Sequence, residues 1–415
     1  MSTLLRMSIC LALSPALLPS VAMAQRLPPG VSPWTETANR TDFTSLSPAA
    51  VAAREVAVEP AAIAADPGAL DVELIGNIVR FERASSERRN DGLTWRGVLG
   101  LQPEYQAVLT EHQGVLMGYF STPGGTYELT TDSSGRQVLL ALDDGLFPPC
   151  GGAPAGPDGA GERPDAARAA PGPVPADTAA QTDVLIVVTA QTRAALGGTP
   201  QAEAFAQSAV DSANTAFANS QMNTRFRLVG VRETARVETT TSLSPDLSWL
   251  SQDAEVAGWR NATGADLVSL IVSATAGGAC GVGYLMQSPG AGFAGSAFQV
   301  TARSCAVGNL SYVHEHGHNM GLTHNPENGS GPSFPYAYGH WVDGSFRTVM
   351  SYSNPCTSGC TRRPYFSNPN VSFNGAPTGI ADQRDNARAG NNNGDIVSNF
   401  RATVVTPALF ANSFE

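Results

Sequence analysis

Four of the six histidines fall between Tyr312 and Asn325, a stretch that reads YVHEHGHNMGLTHN. On a helix, His314 and His318 lie one turn apart and point the same way. Two imidazoles on one face can hold one zinc ion, with Glu315 beside them. The helix must then stop so that a third ligand can swing back. Gly321 provides the stop, because glycine tolerates the left-handed conformation that ends helices. His324 follows as the third ligand. Three neutral imidazoles leave a fourth position open for water, which is the layout of a catalytic zinc. One Zn(2+) per chain is expected. A chance match to all five fixed positions is on the order of one in 10⁵ in a chain so poor in histidine. That argues against a surface helix with clustered histidines.

The other histidines read differently. His316 lies two residues from each helix ligand, so it points off the metal face and is expected at the surface or in packing. His112 sits in a turn and is expected to be solvated. His340 is expected to be structural, with a place in the cleft as the alternative.

Beyond His324 comes Val349-Met350-Ser351-Tyr352. Here the sequence resembles the metzincin zinc endopeptidases, whose pattern is HExxHxxGxxH followed by a Met-turn. The resemblance implies that Met350 makes an apolar floor under the three imidazoles. It also implies that Tyr352 either binds zinc, stabilises the tetrahedral intermediate or only packs. Within the clan, His318-Asn319-Met320-Gly321 and the preceding Cys305 look most like the bacterial reprolysin-like (adamalysin-related) proteases. Those usually place Asp straight after the third histidine, where this chain has Asn325. Tyr365–Gly375, Asp385–Arg388 and Asn399–Arg401 also look like the C-terminal half of such domains. The resemblance covers roughly residues 180–402. It implies peptide hydrolysis, in which zinc activates water and polarises the carbonyl while Glu315 is the general base. Substrate is expected to lie along an edge strand, with Gly295–Ala302 the candidate and an internal core strand the alternative.

Cys150 stands in Pro148-Pro149-Cys150-Gly151-Gly152. A thiolate is a good zinc ligand. Several metzincin families silence their precursors through a Pro-x-Cys-Gly-type segment, which this one resembles in outline. Cys150 is therefore expected to be an inhibitory zinc ligand, with a disulfide or an unused thiol as the alternatives. The preferred pairing of the rest is Cys280–Cys305 with Cys356–Cys360, although four cysteines allow three connectivities.

These residues need elements to position them. Residues 1–24 carry Arg6, an apolar run and Ala22-Met23-Ala24, the signature of a cleaved export signal. Secretion to the periplasm or beyond is expected, an oxidising setting in which five cysteines remain after Cys10 departs. Residues 25–70, rich in Ala, Pro and Ser, are expected to be loose. From about Val72 the chain reads as β-rich, with an antiparallel meander over Tyr105–Thr110, Gly114–Ser121, Thr126–Thr131 and Gln137–Leu142. Residues 151–179 form a Pro/Gly/Ala linker. A second domain over 180–403 opens with the strand Asp183–Thr189, the helix Gln201–Asn219 and the strands Arg225–Val231 and Ala265–Val272. Residues 404–415 are a tail, read as a sorting tag or a frayed end.

The expected fold is α+β, a mixed α/β arrangement. A metzincin-type catalytic domain with a mixed, mostly parallel twisted sheet, an active-site helix and a Met-turn follows a β-rich pro-domain over 25–150. Cutting in the linker is expected to release activity.

The 415 residues carry a net charge of −11, with 36 acidic residues against 25 basic ones, all arginine. No basic stripe suits a nucleic acid. No run after the signal spans a bilayer. The expected partners are protein or peptide substrates, and a monomer is expected. The competing functions are a secreted binding or adhesion protein on an idle metzincin scaffold and a zinc hydrolase of non-peptide substrates. The intact Glu315 and three intact histidines argue against the idle scaffold.

Overall fold

The computed structural model describes residues 30–156 and 181–404. The expected export signal, nearly all of the linker and the C-terminal tail lie outside the described residues.

The N-terminal region is one nine-stranded antiparallel sheet. Its strands are β1 (Trp34–Arg40), β2 (Ala50–Val58), β3 (Ala69–Leu74), β4 (Asn77–Arg89), β5 (Gly92–Leu99), β6 (Gln102–His112), β7 (Val115–Thr122), β8 (Gly125–Thr131) and β9 (Gln137–Leu142). In space they run β1-β2-β9-β8-β7-β6-β5-β4-β3. The meander expected over Tyr105–Leu142 is β6 to β9. The loose structure expected over 25–70 is corrected by β1, β2 and the start of β3. Alanine-rich text carries little strand propensity of its own. Here the strand comes from its partners, since β2 lies between β1 and β9 and bonds to both. Trp34, Phe81, Trp95 and Phe120 fill the core under this sheet.

The second half holds a five-stranded sheet of order β11-β10-β12-β14-β13. Its strands are β10 (Gln181–Thr189), β11 (Arg225–Thr234), β12 (Leu267–Val272), β13 (Gly281–Gly283) and β14 (Phe298–Ala302). The pairs β10–β11, β10–β12 and β12–β14 are parallel, and β13–β14 is antiparallel. This corrects the expected substrate edge. Phe298–Ala302 is buried at every residue and lies between β12 and β13, so the edge is Gly281–Gly283. A strand buried on both faces belongs inside a sheet.

The helix Thr199–Asn219 joins the two halves. It packs on β11 of one sheet and on β6 and β7 of the other. Its Asp211 carboxylate accepts the Thr94 and Thr110 hydroxyls at 2.5 and 2.7 Å. His112, expected in solvent, is buried at the end of β6 with Glu203 3.4 Å away. The turn beside it faces this helix, which the local sequence does not reveal.

Candidate active site

The motif occupies the helix Ser311–Asn319, buried along its whole length. The helix ends as Gly321 takes φ +83° and the Leu322 N–H bonds back to the Gly317 carbonyl at 2.9 Å. A side chain at Gly321 would be strained, and its Cβ would also meet the Ser333 hydroxyl at 2.6 Å. The reversal carries His324 back over the helix.

The three imidazoles converge. Their Nε2 atoms lie 3.2 Å apart for His314 and His324, and 3.1 Å apart for His318 and His324. Each Nδ1 faces a carbonyl: Val349 at 2.8 Å, Leu322 at 2.9 Å and Asn328 at 3.4 Å. A carbonyl only accepts, so this network assigns the proton to Nδ1 and leaves every Nε2 an acceptor. Three lone pairs aimed at one point repel unless a cation lies between them. A tetrahedral zinc with bonds of about 2.05 Å would set such nitrogens about 3.3 Å apart, close to the observed spacing. Burial pulls all three imidazoles down, His318 to about 4, which keeps them neutral as ligands must be.

Met350 is fully buried against the motif helix. A Cβ at Gly317 would sit 2.5 Å from its sulfur, so the helix needs glycine there to pack on this side chain. Val349, next in the chain, is the residue whose carbonyl orients His314.

Glu315 points into the same space. Its Oε1 is buried without a hydrogen-bond partner, and burial pushes its carboxyl up to about 8. Cys150 arrives from the N-terminal region. Its sulfur lies 3.5 Å from Glu315 Oε2 and 3.8 Å from His318 Nε2. Ligand atoms of Cys150, His314, His318 and His324 all fall within 4.8 Å of one another. Burial, and then the Glu315 charge, push the thiol up.

The segment around Cys150 runs along edge strand β13 in the parallel sense. The Cys280 N–H donates to Pro149 O at 2.8 Å, the Gly151 N–H to Gly281 O at 2.7 Å, and the Leu285 N–H to Pro154 O at 2.9 Å. The Tyr352 hydroxyl donates to Cys150 O at 3.1 Å, and its ring lies 4.3 Å from that of His324. The chain's own segment thus holds the place an extended peptide would take.

The neighbouring residues have structural work. Asn325 accepts the Tyr352 N–H at 2.9 Å and donates to Glu327 and Asn328 at 2.8 Å each. An aspartate could not make the two donations. His316 is buried, bonded to Ser269 at 2.7 Å and to Asn319 at 3.0 Å. His340 bonds through its backbone to Thr348 and lies 3.4 Å from Arg384. Cys280–Cys305 ties the edge strand to the turn before the helix, and Cys356–Cys360 closes a short loop after Tyr352. Asn319 escaped the motif reading. Its Nδ2 donates to Tyr284 O and Phe298 O at 2.9 and 3.0 Å, fixing the helix against the sheet. Arg347 and Arg362, below the Met350 turn, also escaped it.

A family model described as Metallo-peptidase family M12 (Reprolysin_5) matches residues 178–367. The peptidyl-Asp metalloendopeptidase of Stenotrophomonas maltophilia (strain R551-3) is 30% identical over 389 residues, covering 86% of this chain and 87% of the relative. The peptidyl-Asp metalloendopeptidase of Xanthomonas campestris pv. campestris is 29% identical over 364 residues, covering 82% and 84%. That of Pseudomonas aeruginosa (PAO1) is 31% identical over 249 residues, covering 54% and 41%.

Proposed function

The chain is a metalloendopeptidase of the reprolysin-like M12 family, and from that premise we propose that it is a secreted zymogen that cleaves peptide bonds at aspartyl residues. The preference comes from the relatives' name. His314, His318 and His324 would hold one zinc ion. The observation that carries the reading is the convergence of three Nε2 acceptors 3.1–3.2 Å apart beside the unpartnered Oε1 of Glu315. A zinc ion there supplies a Lewis acid that activates water and polarises the scissile carbonyl.

The chain's own groups do the rest. Glu315 takes the proton of the attacking water and returns it to the leaving amine. Burial raises the Glu315 carboxyl to about 8, and a cation held by the three histidines would lower it, leaving a carboxylate as base at neutral pH. Met350 and Gly317 keep the imidazole cluster rigid from below. The β13 edge binds the substrate backbone once residues 149–155 leave it. Tyr352, freed from the Cys150 carbonyl, can then donate to the substrate's carbonyl oxygen. Until then the Cys150 sulfur, within 4.8 Å of the three histidine ligand atoms, would take the remaining position on such an ion, and its segment covers the edge. Residues 1–24 direct export, and cutting in 151–179 starts activation. The reading as an idle binding scaffold has no support from relatives that are endopeptidases.

The test uses purified full-length protein before and after limited proteolysis in the linker. We expect about one zinc per chain, with casein hydrolysis only after the cut and lost on chelation. Equal activity before and after the cut would refute the zymogen. Zinc without hydrolysis in either form would refute the peptidase.

A further inference from the structure

Resting on that reading, we infer that Arg347 and Arg362 form the acid-recognising pocket of the cleft, and that Asp144 of the N-terminal region occupies it in the uncut chain as a stand-in for a substrate carboxylate.

The short strands β16 (Phe346–Arg347) and β17 (Thr361–Arg362), which follow β15 (Trp341–Val342), pair in parallel. This sets two arginines side by side. Both are buried, and both reach the same carbonyl, that of Ser351: Arg347 Nη1 at 2.8 Å and Arg362 Nη2 at 3.4 Å. Ser351 lies between Met350 and Tyr352, so the two cations line the wall of the metal centre. Two buried cations repel each other and need an anion.

They share one. Asp144 Oδ2 accepts from Arg347 Nη2 at 2.9 Å and from Nε at 3.3 Å, and its Oδ1 accepts the Arg362 backbone N–H at 3.0 Å. Asp144 is 203 residues from Arg347 in sequence. It stands six residues before Cys150, in the same segment that enters the site.

Arg362 is left incomplete. Its Nη1 donates to Asn309 O at 2.9 Å, but its Nε is buried without a partner. Among the described residues no carboxylate lies within ion-pairing distance of its guanidinium. Burial first, then Arg347, pull its pKa down to about 9. Departure of the N-terminal region therefore leaves two buried guanidinium groups beside the open cleft without a counter-ion. An incoming peptide can supply that ion. The group already seated there is the short carboxylate of aspartate, so the pocket should take Asp before Glu and reject Asn, which brings no charge.

The experiment uses the full-length protein activated by cutting its linker, with fluorogenic peptides that differ only in Asp, Glu, Asn or Ala at one position. We expect wild type to prefer Asp over Asn by about 100-fold in kcat/KM. Arg347→Gln and Arg362→Gln should each bring that ratio within about 5-fold. A second arm needs no altered enzyme. A synthetic peptide of residues 141–152 should inhibit activated wild type about 10-fold more strongly than its Asp144→Asn counterpart.

Wild type that prefers Asp while both variants keep the full ratio overturns the inference and leaves the peptidase standing. Equal inhibition by the two peptides overturns it as well, even where a variant fails to fold. Wild type that cleaves none of the peptides is a different result. It defeats the endopeptidase reading, and this inference with it.

Discussion

The two sheets of this molecule solve opposite problems. Each neighbouring pair in the nine-stranded N-terminal sheet is antiparallel. Hairpins such as Gln113-Gly114 and Pro123-Gly124 join its middle strands, so each can form from local text. The five-stranded sheet is parallel in three of its four pairs. Its strands must wait for crossovers such as the helix Thr199–Asn219. The parallel sheet carries the helix that bears the histidine cluster. The antiparallel one carries chemistry only beyond its last strand, where Asp144 and Cys150 reach the site.

The seam between the two halves is not a plain apolar face. Met117 and Tyr119 enter the catalytic core, but the seam also holds the buried carboxylates Asp211 and Glu128 and the partly buried Asp144. Under the proposed zymogen reading, a seam held by charge and hydrogen bonds suits two parts that have to separate.

The largest expected effect tests that division from the catalytic side. Glu315→Gln should cut kcat by about 10³-fold or more, because it removes the proton carrier and keeps the shape. Zinc content should not change. A variant within tenfold of wild type would move the base elsewhere. The next test comes from the other half. Cys150→Ser should let the uncut chain cleave casein, since a hydroxyl is a far weaker zinc ligand than a thiolate. We expect at least about a tenfold rise over the silent wild type. An uncut variant as silent as wild type would leave the covering segment, and not the sulfur, as the block. The seam itself can also be cut. Asp211→Ala strands the Thr94 and Thr110 hydroxyls and removes the carboxylate 3.7–3.8 Å from Arg89 and Arg96. Loss of one partner from such a buried set costs about 3 kcal/mol. Calorimetry of the uncut chain should show the N-terminal sheet melting earlier. An unchanged melting profile would show that the seam does not depend on this carboxylate.

The sequence made some of this plain and hid the rest for physical reasons. The HExxHxxGxxH stretch was legible because helix geometry turns a four-residue spacing into a shared face, and because Gly321 signals its own backbone angle. The meander was legible from turns and alternation. The substrate edge was not. Phe298–Ala302 and Gly281–Gly283 are both short, and which one ends the sheet depends on pairing order. His112 looked solvated because the long helix that buries it begins some ninety residues later, with Glu203 91 positions away. Strands β1 and β2 were missed because their text gains strand structure only from pairing, β1 with β2 and β2 with β9. Asp144, Arg347 and Arg362 carried no motif at all. Their meaning lies in a contact across 203 residues, which local text cannot record.

The smallest expected effect turns the seam into a pH-dependent one. Glu128 in β8 accepts the Gly308 N–H at 3.0 Å, just before the turn that leads into the motif helix. It is fully buried, and burial pushes its pKa up to about 8 from an ordinary value of 4.5. The folded chain therefore keeps this proton across a range in which the unfolded chain has released it. Folding is not penalised by this group below about pH 4.5. The penalty grows as pH rises toward 8 and is constant above. Glu128→Gln keeps the acceptor for Gly308 and removes the charge. At pH 5 variant and wild type should melt together. At pH 9 the variant should be the more stable by a few kcal/mol, the order of penalty that a pKa raised to about 8 represents. Denaturant titration of the uncut chain at the two pH values measures the gap. A gap of equal size at both would mean that Glu128 is ionised throughout, and that the seam separates without regard to pH.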